Sequence, residues 1–254
     1  MTSVSEIIHV LECFAPLDLA YSWDNPGLQV GSRKAPVAKV LVALDPFENV
    51  AREAVAFGAQ LIVTHHPLLF TPAKQITDET SVGRTIQLLL ENRISLWSGH
   101  TNVDVAPGGV NDVLAEALGL ADISPVPPEN LLRTGTVAEQ SLEHFLSRVK
   151  ERLGCPGLRY VSSGKPCRKI AVGGGACGGE LEAAIDAGCD TFVTSDVKYN
   201  QFWDGFDSGL NLIDAGHFWT ENPVCAVLAD KIRAAFPQLI VKISDSHTDC
   251  MKFF

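Results

Sequence analysis

The chain has 254 residues, with 30 acidic against 20 basic side chains and a formal net charge of −10 when histidine is counted neutral. That balance argues against non-specific binding to nucleic acid or to an anionic membrane, and no run approaches the roughly 18 apolar residues that a bilayer span needs. Seven scattered cysteines without a C-x-x-C pair disfavour a disulfide scaffold and a thiolate zinc site. With no basic stretch preceding an apolar one at the start, a cytoplasmic protein is the expectation.

Hydrophobic residues at 46% and charged residues at 20% are ordinary for a globular chain, of a length that forms one large or two smaller domains. Ser3-Val4-Ser5-Glu6 has the form of a capping box, and Val4, Ile7, Ile8 and Leu11 follow at helical spacing. Trp23-Asp24-Asn25-Pro26-Gly27-Leu28-Gln29-Val30-Gly31 is a turn-rich segment whose large aromatic either shapes a pocket or covers a core. An apolar strand over 37–44, a helix over 47–57 and a second strand over 61–63 come next, then a helix over 81–92 and a strand over 94–97. A helix over 109–118 closes the first half. Strands alternating with helices predict parallel pairing with right-handed crossovers. Residues 124–168, with a helix over 141–153, elaborate the second half.

The second half repeats the first. Lys39-Val40-Leu41-Val42 aligns with Lys169-Ile170-Ala171-Val172 at an offset of 169 − 39 = 130, and Gly58 and Val63-Thr64 fall on Gly188 and Val193-Thr194 at the same offset. Gly99-His100-x-x-x-Asp104 recurs as Gly216-His217-x-x-x-Glu221, each followed by a Val-Leu-Ala-acid helix. Several matches in one order predict duplication of an α/β unit.

Polar residues at the ends of parallel strands gather at one edge, where ligands bind. The candidates there are His65 and His66, which end the second strand before Pro67, with His100, Asp104, His217 and Glu221. Imidazoles with two carboxylates form a mixed N/O set suited to Zn, Mn, Fe, Co or Ni. Two bridging carboxylates allow a metal pair roughly 3.5–4 Å apart. One metal with three or four of these ligands is the simpler arrangement, and buried His–carboxylate hydrogen bonds with no metal are a third. A rival motif, Gly173-Gly174-Gly175-Ala176-Cys177-Gly178-Gly179, satisfies G-x-G-x-x-G between a strand and a helix and offers a weak phosphate or dinucleotide signal.

The motif at 23–31, Thr64-His65-His66-Pro67, His100-Thr101-Asn102-Val103-Asp104, the triple glycine at 173–175 with Thr194-Ser195-Asp196, and Gly216-His217-x-x-x-Glu221 together resemble a known family. It is the dinuclear-metal-centre family related to Ngg-interacting factor three, often labelled GTP cyclohydrolase I type 2 homologues, and the likeness spans roughly residues 5–236. The resemblance implies two interlocked, similar α/β domains with the metal site between them, assigned here as 1–123 with 212–254 and 124–211. It implies a toroidal homohexamer with metal pairs facing an internal cavity. The implied ligands of two divalent ions per chain are His65, His66, Asp104, His217 and Glu221, with His100 close by. Where the family commonly has Gly-Asp followed four residues on by His, this chain has Ser195-Asp196 and Asn200, so that position carries no imidazole. The expected activity is hydrolysis of a nucleotide or phosphoester by a metal-bound water, with His100 or Asp196 as proton shuttle. A non-catalytic metal-binding scaffold or regulatory protein is the alternative.

Overall fold

The computed structural model describes residues 2–253. They divide into two compact units, one comprising the chain up to Pro107 with Val224–Thr248, the other Gly108–Pro223 with the chain from Asp249 onward. The division expected from the sequence lay after 123 and before 212.

The chain opens with β1 (Thr2–Ser3) and α1 (Val4–Phe14), whose capping box forms as the sequence predicts: Ser3 Oγ accepts from the Glu6 amide and the Glu6 carboxylate accepts from the Ser3 amide. Val4, Ile7, Ile8 and Leu11 make the buried face. There follow β2 (Gly27–Val30), β3 (Pro36–Val37), which pairs with β1, and β4 (Lys39–Ala43). Next come α2 (Glu48–Phe57), β5 (Leu61–Thr64), α3 (Ser81–Glu91), β6 (Ser95–Ser98) and the short α4 (Thr101–Val105). Strands β4, β5 and β6 pair in parallel, and β2 closes the edge antiparallel to β6. Their apolar runs are buried on both faces, as parallel strands under helices must be. Leu41, Ile62, Ile86, Leu89 and Leu96 share one core cluster. At Gly31, with φ +98°, the backbone passes so near β6 that a Cβ would stand 2.4 Å from Ser95 Oγ.

The second unit contains α5 (Val110–Ala117), β7 (Ala121–Pro125), β8 (Arg133–Gln140), α6 (Leu142–Leu153), β9 (Arg159–Val161) and β10 (Cys167–Val172). It continues with α7 (Leu181–Asp186), β11 (Thr191–Thr194), α8 (Tyr199–Ser208), β12 (Asn211–Asp214) and α9 (His217–Glu221). Again three strands, β10, β11 and β12, run parallel, and β9 closes the edge antiparallel to β12. The strands aligned at the 130 offset are thus β4 with β10 and β5 with β11, each in the same place in its sheet. Parallel pairing does not run through the whole second sheet: β8 lies antiparallel on β10, with β7 outside it. Helix α5 follows the first unit's strands in sequence, yet Leu114 and Ala115 share a core with Ile170 and Val172 of β10. Burial of that apolar face moves the boundary back to Pro107.

The chain then returns to the first unit with α10 (Val224–Ala235), which packs on α1 and β4, and β13 (Ile240–Ile243), parallel to β4. All seven cysteines are free thiols. Among the described residues no helix is long and apolar enough to cross a membrane.

The segment after β13 is tied to α2 through Glu53. Its carboxylate accepts from Lys242 Nζ at 2.8 Å, the Asp245 amide at 3.1 Å, the Ser246 amide at 3.0 Å and the Ser244 hydroxyl. Burial alone raises the Glu53 carboxyl, but these donors outweigh it and hold it at about 2, against an ordinary 4.5. The charged form is therefore favoured by folding, so the stabilisation is complete above pH 4.5 and drains away as pH falls toward 2. Glu53→Gln is expected to cost about 2 kcal/mol at neutral pH, with the gap to wild type narrowing below pH 4.5. Urea unfolding midpoints across that range check this, and a gap independent of pH would contradict it.

Candidate metal centre

In the first unit three parallel strands end level with one another. Ala43 is paired with Thr64 and Thr64 with Ser98, so Asp45, His65–His66 and Gly99–His100 all follow from one edge. The Thr64 and Ser98 hydroxyls bond at 2.9 Å, and the Gly99 amide donates to Thr64 O at 2.9 Å, fixing the two strand ends together. The chain bends at His65 and His66, as Pro67 led us to expect, and both rings reach one place with His100. The ring centroids of His65 lie 4.9 Å from His66 and 5.3 Å from His100. One ring nitrogen from each of the three lies within 4.8 Å of the others.

Each ring is held by Nδ1. His65, fully buried, donates to the Gly99 carbonyl at 2.9 Å, His66 to Asp45 at 2.7 Å and His100 to Asp24 at 2.8 Å. Carbonyls and carboxylates only accept, so these contacts place the proton on Nδ1 and turn Nε2 into the electron-pair donor. Asp24 also accepts from the Thr101 amide at 3.0 Å and from its hydroxyl. Burial raises the Asp24 carboxyl, but its bonds from His100 and Thr101 prevail and bring it down to about 2. Asn102, fully buried, donates to Ala15 O at 2.8 Å and accepts from the His100 amide at 2.9 Å. Thr101 and Asn102 thus anchor α4, which carries buried Asp104 to within 3.6 Å of His65 Nε2. A cavity of about 290 Å³ opens beside His66 and Asp45, lined also by Phe47, Leu68, Val82 and Thr85.

The second unit builds a smaller version of the same device. His217 and Glu221 lie one turn apart on α9, with Nε2 2.9 Å from Glu221 Oε2, while His217 Nδ1 donates to Asp196 at 2.7 Å. Once Nδ1–H is given to Asp196, Nε2 and the carboxylate present lone pairs to each other, an approach that needs a cation between them, proton or metal. The donor set therefore fits a divalent ion, and the tethering of ligand histidines through the other ring nitrogen is what metal sites require.

The glycine run stands against this pair. Four of its amides are already used: Gly173 donates to Val193 O, Gly174 to Asn111 Oδ1 at 2.7 Å, Gly175 to Thr220 Oγ1 at 3.0 Å and Cys177 to Gly175 O. A Cβ on Gly175, where φ is +64°, would stand 1.9 Å from Glu221 Oε1 and 3.2 Å from His217 Nε2. At Gly175 the run leaves room for the carboxylate.

Asp196, expected as a proton shuttle, makes its contact at His217 Nδ1 and so positions that ring. Asn200 is exposed on α8. Two residues the sequence reading did not single out, Asp24 and Asp45, hold His100 and His66. Asp45 ends an apolar strand, which was a signal, but at the 130 offset it aligns with Gly175 and the repeat hid it.

Gly175→Ala is expected to destabilise by about 1–3 kcal/mol, from strain and from displacing Glu221, and to lower bound metal. Gly179→Ala, with nothing within 4 Å of its Cβ, is expected to be near neutral. Thermal unfolding and elemental analysis of the two variants check this, and equal behaviour would contradict it.

The Duf34/NIF3 (NGG1p interacting factor 3) family profile matches residues 2–250. A Clostridium perfringens protein named GTP cyclohydrolase 1 type 2 homolog is 39% identical over 240 residues, covering 91% of each chain. A Streptomyces coelicolor protein of the same name is 35% identical, over 97% of this chain and 88% of its own. Among solved structures, a Bacillus cereus protein related to NIF3 superposes with TM-score 0.95 at 26% identity, covering 100% of this chain and 99% of its own. Reduced HcgD from Methanocaldococcus jannaschii gives 0.85 at 31% identity, over 96% and 98%. With the family pattern running almost end to end and a relative this similar, the chain belongs to the Duf34/NIF3 family.

Proposed function

We propose that this chain is a dinuclear metal protein that hydrolyses a nucleotide or phosphoester-type substrate. Its two divalent ions, drawn from Zn, Fe, Mn, Co and Ni, are held by His65, His66, Asp104, His217 and Glu221. The observation that carries the reading is the shared tether: His65, His66 and His217 each spend Nδ1 on an oxygen that only accepts and so offer Nε2 as the ligand atom. A carboxylate stands beside Nε2 in each unit, Asp104 at 3.6 Å from His65 and Glu221 at 2.9 Å from His217. Bound ions would supply Lewis acidity toward a phosphoryl or carbonyl oxygen and lower the pKa of water.

The remaining roles belong to the protein. His100 is half-buried beside His65 and His66, and its pairing with Asp24 supports an imidazolium that forms as Nε2 takes up a proton. Asp45 and Asp196 stay hydrogen-bonded to their histidines and keep the rings from turning.

Elemental analysis of purified protein is expected to find about two transition-metal ions per chain, and replacing His65 and His66 together with alanine should remove most of both. Asp45→Asn should weaken metal binding by about tenfold or more through loss of the tether. Hydrolysis found by screening nucleotides and phosphoesters with Zn, Mn or Co should disappear in Glu221→Gln. Full metal retention in the double variant would refute the ligand assignment, and activity surviving Glu221→Gln would refute the chemistry.

A further inference from the structure

Trp23 does not cover a core. It is 59% exposed, and Phe70, 50% exposed, stands beside it at 5.8 Å between ring centroids. Both rings meet His100 edge-to-face, Trp23 at 6.2 Å and Phe70 at 5.9 Å, and Tyr21 stacks against Trp23 at 5.8 Å. Large aromatics left in water are costly unless something covers them, and these are not loosely placed. Asn25 Nδ2 donates to Leu69 O at 2.6 Å and the Leu69 amide to Gln29 Oε1 at 3.0 Å, so the two segments carrying the rings are stapled together. Asp24, next in sequence to Trp23, grips His100 and Thr101. Polar bonds thus fix an aromatic pair in place at the side of His100.

We propose that Trp23 and Phe70, whose planes are tilted 53° to each other, form an open clamp whose exposed face stacks on a planar heteroaromatic ring of the substrate and sets the enzyme's preference for such rings. The inference rests on the proposed function only in taking His100 to mark the reacting centre. Preset aromatic faces bind a flat ring with little entropic cost, because the rings are already ordered. The face of a heteroaromatic ring suits them whatever its edge groups, so the clamp selects flatness and leaves base identity to other contacts. The loop between β5 and α3, residues 65–80, supplies Phe70, while the corresponding loop of the second unit, residues 195–198, is far shorter. The clamp therefore belongs to the first unit alone.

The test uses the full chain as purified, and again after dialysis against chelator, titrated calorimetrically with guanosine and with ring-free ribose 5-phosphate. Guanosine should bind in both preparations and ribose 5-phosphate much more weakly. Trp23→Ala and Phe70→Ala should each weaken guanosine about tenfold, with Trp23→Phe restoring most of the loss. Trp203→Ala, which removes another exposed indole at 53% on α8, should change nothing. Metal content should be the same in all four variants. Absence of guanosine binding, equal binding of ribose 5-phosphate, or wild-type affinity in both alanine variants would overturn the clamp. Stacking that depends on Trp23 in protein that carries no metal as purified, before any chelator, would sink the metal reading and leave the clamp standing; metal without stacking would do the reverse.

Discussion

Everything at this site depends on the hydrogen bond from an imidazole Nδ1 to a carbonyl or carboxylate oxygen that can only accept. A neutral histidine has one donor and one acceptor nitrogen, and an untethered ring in water can exchange the two. Here the acceptors are a strand-end carbonyl, Gly99 O, and the carboxylates of Asp24, Asp45 and Asp196. Asp24 accepts from Thr101 as well as from His100, so this tether is itself anchored.

Such acceptors can be placed only by a backbone whose strands stop together. β4, β5 and β6 are apolar and buried until their ends, because sheets covered on both faces tolerate no unsatisfied polar group inside. Where the strands end, carboxylate and imidazole appear at once: Asp45 after β4, His65 and His66 after β5, His100 after β6. The second unit has the same three-strand centre, but its strand ends are differently equipped. The position aligned with His66 is Asp196 and that aligned with Asp45 is Gly175, so the first contributes an acceptor and the second an empty space.

Much of this was legible in the residues. Periodicity and capping gave α1, the alternation of strands and helices gave the sheet centres, and the repeated Gly-His-x-x-x-acid pattern picked out Asp104, His217 and Glu221. What stayed hidden depends on long-range partners. An Asp at a strand end is common, and only contact with His66 or His100 marks Asp45 and Asp24. The amphipathic α5 carries no sign of which sheet it will cover. The glycine run reads as an anion loop because its spacing fits one; that Asn111 and Thr220 take the Gly174 and Gly175 amides is a long-range fact. Trp23 was undecidable, since a core indole and a surface indole look alike in a turn-rich motif.

If the tethers on Nδ1 decide the ligand atom, a metal bonds to Nε2. Anomalous diffraction from crystals of the metal-loaded protein, recorded at the absorption edge of the bound element, tests this atom by atom. Anomalous peaks are expected bonded through Nε2 of His65, His66 and His217, with Asp45 and Asp196 still hydrogen-bonded to Nδ1. Peaks bonded to Nδ1 with those hydrogen bonds broken, or peaks remote from all three histidines, would contradict it.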